Sequence, residues 1–233
     1  MTEYIRFYLD RDDFEQRLGG GIPKGSLIIA EGEEGSGKSI LSQRITYGAL
    51  VNGYTVTYIS TEMTILDFVR QMDSLSYPIE SFMLDNKLMF ITLVNLFGKI
   101  KKKRNLIFEL RKPKAKKLFE NDLVIIDSLA YPLVNSISPN EIEQLIEFLL
   151  KVKSLNKTIM ITYDPQLINS ALVQNLRRVA DIYFYLGTRT LAGQLTKYIE
   201  IRRFRNPREP YNLMIPFRVE PGLGLIVEIV TIV

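Results

Sequence analysis

The run Gly32-Glu33-Glu34-Gly35-Ser36-Gly37-Lys38-Ser39 satisfies the pattern G-x-x-x-x-G-K-[ST] in full. Its chemistry is capture of a phosphate chain. Glycines let main-chain N–H groups turn inward around a phosphate, and the helix that follows adds unsatisfied donors and a positive dipole end. Lys38 supplies a point charge near the outer phosphates, and the Ser39 hydroxyl is of the type that coordinates magnesium. The candidate nucleotide-binding residues are Gly32, Glu34, Gly35, Ser36, Gly37, Lys38, Ser39 and Ile40, with ATP and Mg2+ as the expected ligands. A strand–helix turn that merely needs glycine explains neither Lys38 nor Ser39.

Two carboxylates complete the set. Leu123-Val124-Ile125-Ile126-Asp127 is an apolar strand that ends in one acid, and α/β sheets place ligands at the C-terminal ends of their strands. Asp127 is therefore the candidate partner of Ser39 at the metal, directly or through water. Glu62 follows the β-rich run Thr55 to Ser60. A base there can orient and deprotonate an attacking water, which makes Glu62 and Lys38 catalytic candidates. The alternative for Glu62 is simple negative charge at a helix start ahead of Thr64.

These residues need a scaffold of alternating strands and helices. Leu27 to Glu31 predicts a buried strand before the glycine-rich turn, and a helix is expected from about Lys38 to Val51, stopped by Asn52-Gly53. Thr64 with Asp67 resembles a capping box ahead of the apolar-periodic stretch Ile65, Leu66, Phe68, Val69 and Met72. Further strands are expected at Leu88 to Thr92, Leu123 to Ile126 and Thr158 to Thr162. Ser138-Pro139 should open a helix whose apolar face is Ile142, Leu145, Ile146, Leu149 and Leu150. Asp181 to Leu186, Lys197 to Ile201, Leu213 to Phe217 and Leu225 to Ile229 then read as antiparallel hairpin strands. The expectation is one α/β domain over residues 1–233, a mostly parallel sheet with an antiparallel C-terminal edge.

Composition narrows the chemistry. The chain has 233 residues and neither cysteine nor histidine. Disulfides, thiolate sites and imidazole catalysis are excluded, so a metal must sit on oxygen ligands. The N-terminus has scattered charges and no apolar core of a signal peptide. No stretch reaches the roughly 18 uninterrupted apolar residues of a membrane helix, so a cytoplasmic protein is expected. Of the charge, ten Lys or Arg and one acid, Glu109, fall between Lys99 and Lys117. That segment reads as a solvated helix face, a surface for an acidic partner or membrane, or a nucleic-acid contact. Its single aromatic, Phe108, argues against a stacking platform for single-stranded nucleic acid.

Leu18-Gly19-Gly20-Gly21-Ile22-Pro23-Lys24-Gly25-Ser26, followed by a strand and the phosphate-binding run, resembles the KaiC and RadA branch of RecA-like ATPases. The resemblance covers nearly the whole chain. It implies a RecA-like P-loop core with helices on both faces of the sheet and ATP at subunit borders of a ring, expected to be a hexamer. It places Glu62 where the family carries its catalytic glutamate and Asp127 on the magnesium-binding strand. Arg203-Phe204-Arg205 resembles the K-x-R finger that reaches a neighbour's ATP, so the resemblance makes Arg203 and Arg205 catalytic in trans. A solvated edge strand is the alternative for both. Within the branch, the chain is similar to single-domain archaellum ATP-binding proteins of the FlaH kind. That implies a place at the cytoplasmic face of the membrane with the archaellum motor ATPase, a membrane platform protein and a cytosolic ring scaffold.

The departures from the pattern bear on activity. Circadian KaiC proteins carry two fused domains, and KaiC domains usually have two consecutive glutamates where this chain has Glu62-Met63. One carboxylate fewer favours tight binding with slow turnover. RadA-type recombinases need an N-terminal DNA-binding domain for which no room precedes the P-loop, so nucleic acid is disfavoured. Three readings follow: a nucleotide-gated assembly component, a working ATPase or autokinase, and a DNA-dependent recombinase-like ATPase.

Overall fold

A computed structural model describes residues 2–93, 113–129, 137–191 and 194–228. Most of the basic segment, including Phe108 and Glu109, lies outside the described residues, as does the helix expected there.

Two short strands, β1 (Tyr4–Ile5) and β2 (Ile22–Pro23), form an antiparallel ribbon of their own. The remaining strands build one nine-stranded sheet. In chain order they are β3 (Leu27–Gly32), β4 (Val56–Ser60), β5 (Leu88–Thr92), β6 (Leu123–Asp127), β7 (Thr158–Tyr163), β8 (Ile182–Leu191), β9 (Gln194–Phe204), β10 (Met214–Glu220) and β11 (Gly224–Val227). Their spatial order is β11-β10-β9-β8-β3-β7-β6-β4-β5. From β8 across to β5 every pairing is parallel, and from β8 outward to β11 every pairing is antiparallel. The expected mixed architecture is thus present.

The helices are α1 (Phe14–Arg17), α2 (Lys38–Val51), α3 (Ile65–Ser74), α4 (Glu80–Leu84), α5 (Pro139–Ser154) and α6 (Ser170–Val179), with a 3-10 turn at Pro113–Phe119. Alternation along β3 shows how the layers form. Ile28 and Ala30 face α2, packing with its Leu41, Ile45 and Ala49 and with Phe68 and Met72 of α3. Leu27 and Ile29 face the other way, packing with Leu145 and Leu149 of α5 and Leu172 and Leu176 of α6. A strand covered on both faces loses its polar alternation, which is why LIIAE reads as a continuous apolar run. Arg44 of α2 is fully buried and ties the N-terminal segment across the helix, donating to Asp12 and to the carbonyl of Phe7.

Helix starts follow local chemistry. The Thr64 hydroxyl accepts from the Asp67 N–H, as its spacing predicts. Ser138 and Glu141 form a full reciprocal capping box with Pro139 behind them. Two differences from the sequence reading stand out. The runs at Asp181 and Lys197 are parts of one long hairpin, because β8 and β9 pair from Ile182↔Phe204 to Leu191↔Gln194. Helix α6 was not anticipated, although Asn169 caps it and Leu172, Val173 and Leu176 give it an apolar face.

Candidate functional site

The parallel strands all point their C-terminal ends at one edge, and there the chemistry collects. β3 ends in Gly32, whose place admits no side chain: a Cβ would meet the Leu186 carbonyl oxygen at 2.4 Å and the Ser36 Oγ at 2.6 Å. Gly37 has φ +102, and a Cβ there would lie 2.7 Å from the Phe217 ring. Gly37 is also the N-cap of α2, with no side-chain cap bond and no acid in the first turn. The first N–H groups of α2 therefore keep their capacity for an anion.

Lys38 lies half-buried along the loop, its Nζ 2.8 Å from the carbonyl oxygens of both Gly32 and Glu33. Burial pushes its pKa below the ordinary lysine value, against the pull of Asp164, Asp127, Glu62 and Glu34. Ser39 Oγ donates to Asp127 Oδ1 at 3.1 Å, so α2 and β6 bring the two expected metal residues together. Asp127 is 3% exposed and is held by Thr162 Oγ1 at 2.6 Å and the Tyr58 hydroxyl at 2.5 Å. Burial pushes its carboxyl pKa up, while the hydroxyls of Thr162, Tyr58 and Ser39 pull it back.

Glu62 follows β4, the strand beside β6, and accepts from Ser128 Oγ at 2.6 Å. The turns that carry Glu62 and Asp127 are stitched together. Thr61 Oγ1 donates to the Ser128 carbonyl and accepts from its N–H, and the Thr61 N–H reaches the Asp127 carbonyl. A cleft of about 410 Å³ opens between them, lined among others by Lys38, Ser39, Glu62, Ser128, Asp164 and Lys197. That volume lies within the range of small-ligand sites.

The donor set suits a hard cation. Ser39 and Asp127 offer only oxygens, and no cluster of three potential metal-ligating side chains exists among the described residues. Magnesium takes few protein ligands and keeps waters and phosphate oxygens for the rest, so the pair fits it.

Five residues that line the cleft are not among the predicted site residues, the apolar Leu129 and Leu167 and the polar Asp164, Ser128 and Lys197. Asp164 follows β7, and the rule that singled out Asp127, an acid where a buried strand ends, could have found it. Ser128 differs only in following Asp127. Lys197 arrives from the antiparallel β9 and donates to the Gly35 carbonyl at 2.7 Å, which only pairing register reveals.

Arg203 and Arg205 are not brought to this cleft. Arg203 pairs with Tyr183, which lies level with Ile29, below the phosphate edge. Its Nη1 donates to the carbonyls of Arg177 and Ala180 where α6 ends, and Arg205 pairs with Asp181 at 3.4 Å.

Comparison with known proteins bears on family and fold. A family model described as ATPase: KaiC matches residues 12–229. The archaeal flagellar ATP-binding protein FlaH of Methanocaldococcus jannaschii is 37% identical over 232 residues, spanning 100% of this chain and 99% of that one. The crystal structure of the flagellar accessory protein FlaH from the same organism superposes with a TM-score of 0.89 at 36% identity, covering 98% of this chain and all of that one. A KaiC-like protein from Pyrococcus horikoshii shares the fold, with a TM-score of 0.74 at 19% identity over 98% of this chain and all of that one.

Proposed function

The chain belongs to the KaiC family of ATPases, and on that premise we propose that it is a single-domain, ATP-binding component of the archaeal flagellar (archaellum) machinery whose nucleotide occupancy regulates assembly. One observation carries the ATP site: α2 delivers Lys38 and Ser39 to a glycine-bounded loop, and Ser39 there meets the buried Asp127. The N–H groups of Gly35 to Ser39 would surround the phosphates, and Lys38 would exchange its two carbonyl partners for phosphate oxygens. Ser39 and Asp127 would hold Mg2+, which supplies charge neutralisation between the phosphates when bound.

Slow turnover is part of the proposal. Glu62 has Met63 beside it where a second carboxylate would stand, and its own carboxylate is engaged by Ser128. Occupancy can then act without flux. A ligand at a hundredfold excess over its dissociation constant stabilises the conformer that binds it by about 2.7 kcal/mol, enough to shift a marginal subunit interface. That interface is proposed to close a homo-oligomeric ring, a hexamer, with Arg203 and Arg205 facing a second copy. Partners would be the motor ATPase, the membrane platform protein and the cytosolic ring scaffold. Among the described residues no helix is long and apolar enough to cross a membrane, so the proposed place beneath the membrane rests on those partners.

A working ATPase or autokinase is the second reading. It is favoured by Asp164, which lines the cleft with Glu62 and gives a reacting water or hydroxyl a second carboxylate. Calorimetry with ATP and Mg2+, mass measurement with and without ATP, and a turnover assay separate the two. ATP-dependent assembly with negligible hydrolysis supports regulation by occupancy. A turnover on the order of 10 s⁻¹, the enzyme median, by the purified protein alone overturns it. Absence of heat with ATP for the folded protein removes both.

A further inference from the structure

Directly behind the P-loop lies a second buried carboxylate that the cleft does not use. Glu31 immediately precedes Gly32 and is 1% exposed. Its side chain points away from α2, to the face covered by α5 and α6. There it accepts from the hydroxyls of Tyr163 and Tyr183, each at 3.0 Å, and from Arg177 in a two-point grip whose Nε lies 2.7 Å away and whose Nη2 closes the pair. Such a planar fork fixes orientation as well as distance.

The partners of Glu31 lead in one direction. Arg177 stands in the last turn of α6, and its side chain reaches back toward the helix N-terminus, hence toward the phosphate edge. Its main-chain carbonyl accepts from Arg203 Nη1 at 2.6 Å. The Tyr183 hydroxyl accepts from Arg202 Nη1 at 3.0 Å, and the Arg202 guanidinium lies 3.9 Å from the centre of the Tyr185 ring. Adjacent residues of β9 are therefore each one intermediary away from Glu31, the residue immediately before the P-loop. The first P-loop glycine has no slack of its own, because it is pressed against the main chain of Leu186.

We propose that Glu31 and Arg177 are positioning residues that transmit the state of the P-loop to the arginine-bearing strand β9. The proposal rests on the reading above, in which ATP sets assembly and β9 faces a second copy. Taking up phosphates repositions the loop; Glu31 moves with Gly32; the guanidinium fork turns with the carboxylate; and the end of α6, to which Arg203 is bonded, follows. A pair that served stability alone would hold the loop but would not link ATP to assembly.

The test uses the full chain with Glu31→Gln and Arg177→Lys. Glu31→Gln keeps the shape and an acceptor for both tyrosines, and Arg177→Lys keeps the charge while losing the fork, so both should fold. ATP affinity with Mg2+ is read by calorimetry, and assembly with and without ATP by particle mass. Each variant should bind ATP within about threefold of the wild type, while the ATP-driven gain in association falls by at least about tenfold. The double variant should lose no more than the worse single one, since both act through one link. ATP-driven association unchanged in both variants overturns the proposal. So does loss of ATP affinity in step with association, which makes the pair a support for the binding loop and nothing more. A wild-type chain whose association ignores ATP sinks the functional reading and this proposal together, whereas a responsive wild type with unaffected variants sinks this proposal alone.

Discussion

Asp127 and Glu31 are carboxylates near the ends of buried strands at the same edge of one sheet, 3% and 1% exposed, yet their surroundings answer burial in opposite ways. Asp127 meets three hydroxyls, from Ser39, Thr162 and Tyr58, and among the described residues no cation bonds to it. Burial dominates, and its pKa is raised. Burial also pushes the Glu31 pKa up, but Arg177, Tyr163 and Tyr183 outweigh it, and the net shift is downward. One side chain has its counter-ion built in; the other is held ready for one that comes from outside. The difference separates a carboxylate that fixes the fold from one that awaits a ligand.

The sharpest way to break this contrast is to remove the built-in cation. Arg177→Ala should cost about 3 kcal/mol, at the low end for a broken buried pair because Arg177 is itself partly exposed. Urea unfolding should show that loss with or without nucleotide. Asp127→Asn should change the nucleotide-free stability by less than about 1 kcal/mol, because it removes a buried charge to which no cation among the described residues is bonded. With Mg2+ and ATP at a hundredfold excess, the wild type should gain about 2.7 kcal/mol, and Asp127→Asn should lose most of the Mg2+-dependent part of that gain. Equal damage from Arg177→Ala and Asp127→Asn in the absence of nucleotide would erase the distinction.

Acid titration sharpens it next. A carboxyl whose folded pKa lies below its unfolded value, about 4.3 for Glu, contributes stability that is complete above that value. The contribution disappears as pH falls through the folded pKa. Glu31 is such a group. The wild type should therefore lose stability more steeply than Glu31→Gln as pH drops below about 4.3, while at neutral pH Glu31→Gln should be the less stable of the two. Parallel acid limbs would show that Arg177 does not hold Glu31 ionised.

The two carboxylates were also unequally legible. Asp127, Lys38 and Ser39 could be read from the chain because a motif and a strand end carry their positions, and the parallel core repeats the rule that strand ends bear function. Asp164 obeys the same rule, but it stands two residues past the apolar run that ends at Thr162, because β7 continues to Tyr163. Glu31 looked like the last residue of a strand. Its meaning depends on Arg177 and Tyr183, which lie 146 and 152 residues away and arrive through helix α6 and the pairing register of β8. The antiparallel half gave up its strands but not their lengths, since Thr188 to Leu191 continue pairing beyond the apolar run that marked β8. Side-chain partners across a sheet follow from register, and register is set by packing that no local pattern contains.

The smallest expected effect tests which property of Asp127 matters. Tyr58 is completely buried, and its hydroxyl donates to Asp127 Oδ2 at 2.5 Å with Ser42 Oγ 2.9 Å away. Tyr58→Phe removes that donor but keeps the ring, which packs against Phe68 and Phe90. Losing one buried hydrogen bond of this kind costs about 1 kcal/mol of stability. The carboxylate then keeps its charge and the bonds from Ser39 and Thr162 to Oδ1. If charge toward the incoming cation is what Asp127 provides, ATP affinity with Mg2+ should fall by less than about tenfold, or 1.4 kcal/mol, and far less than in Asp127→Asn. Should calorimetry find Tyr58→Phe as damaging as Asp127→Asn, orientation by the neighbouring strand is the controlling factor, and Asp127 resembles Glu31 more than its bare surroundings suggest.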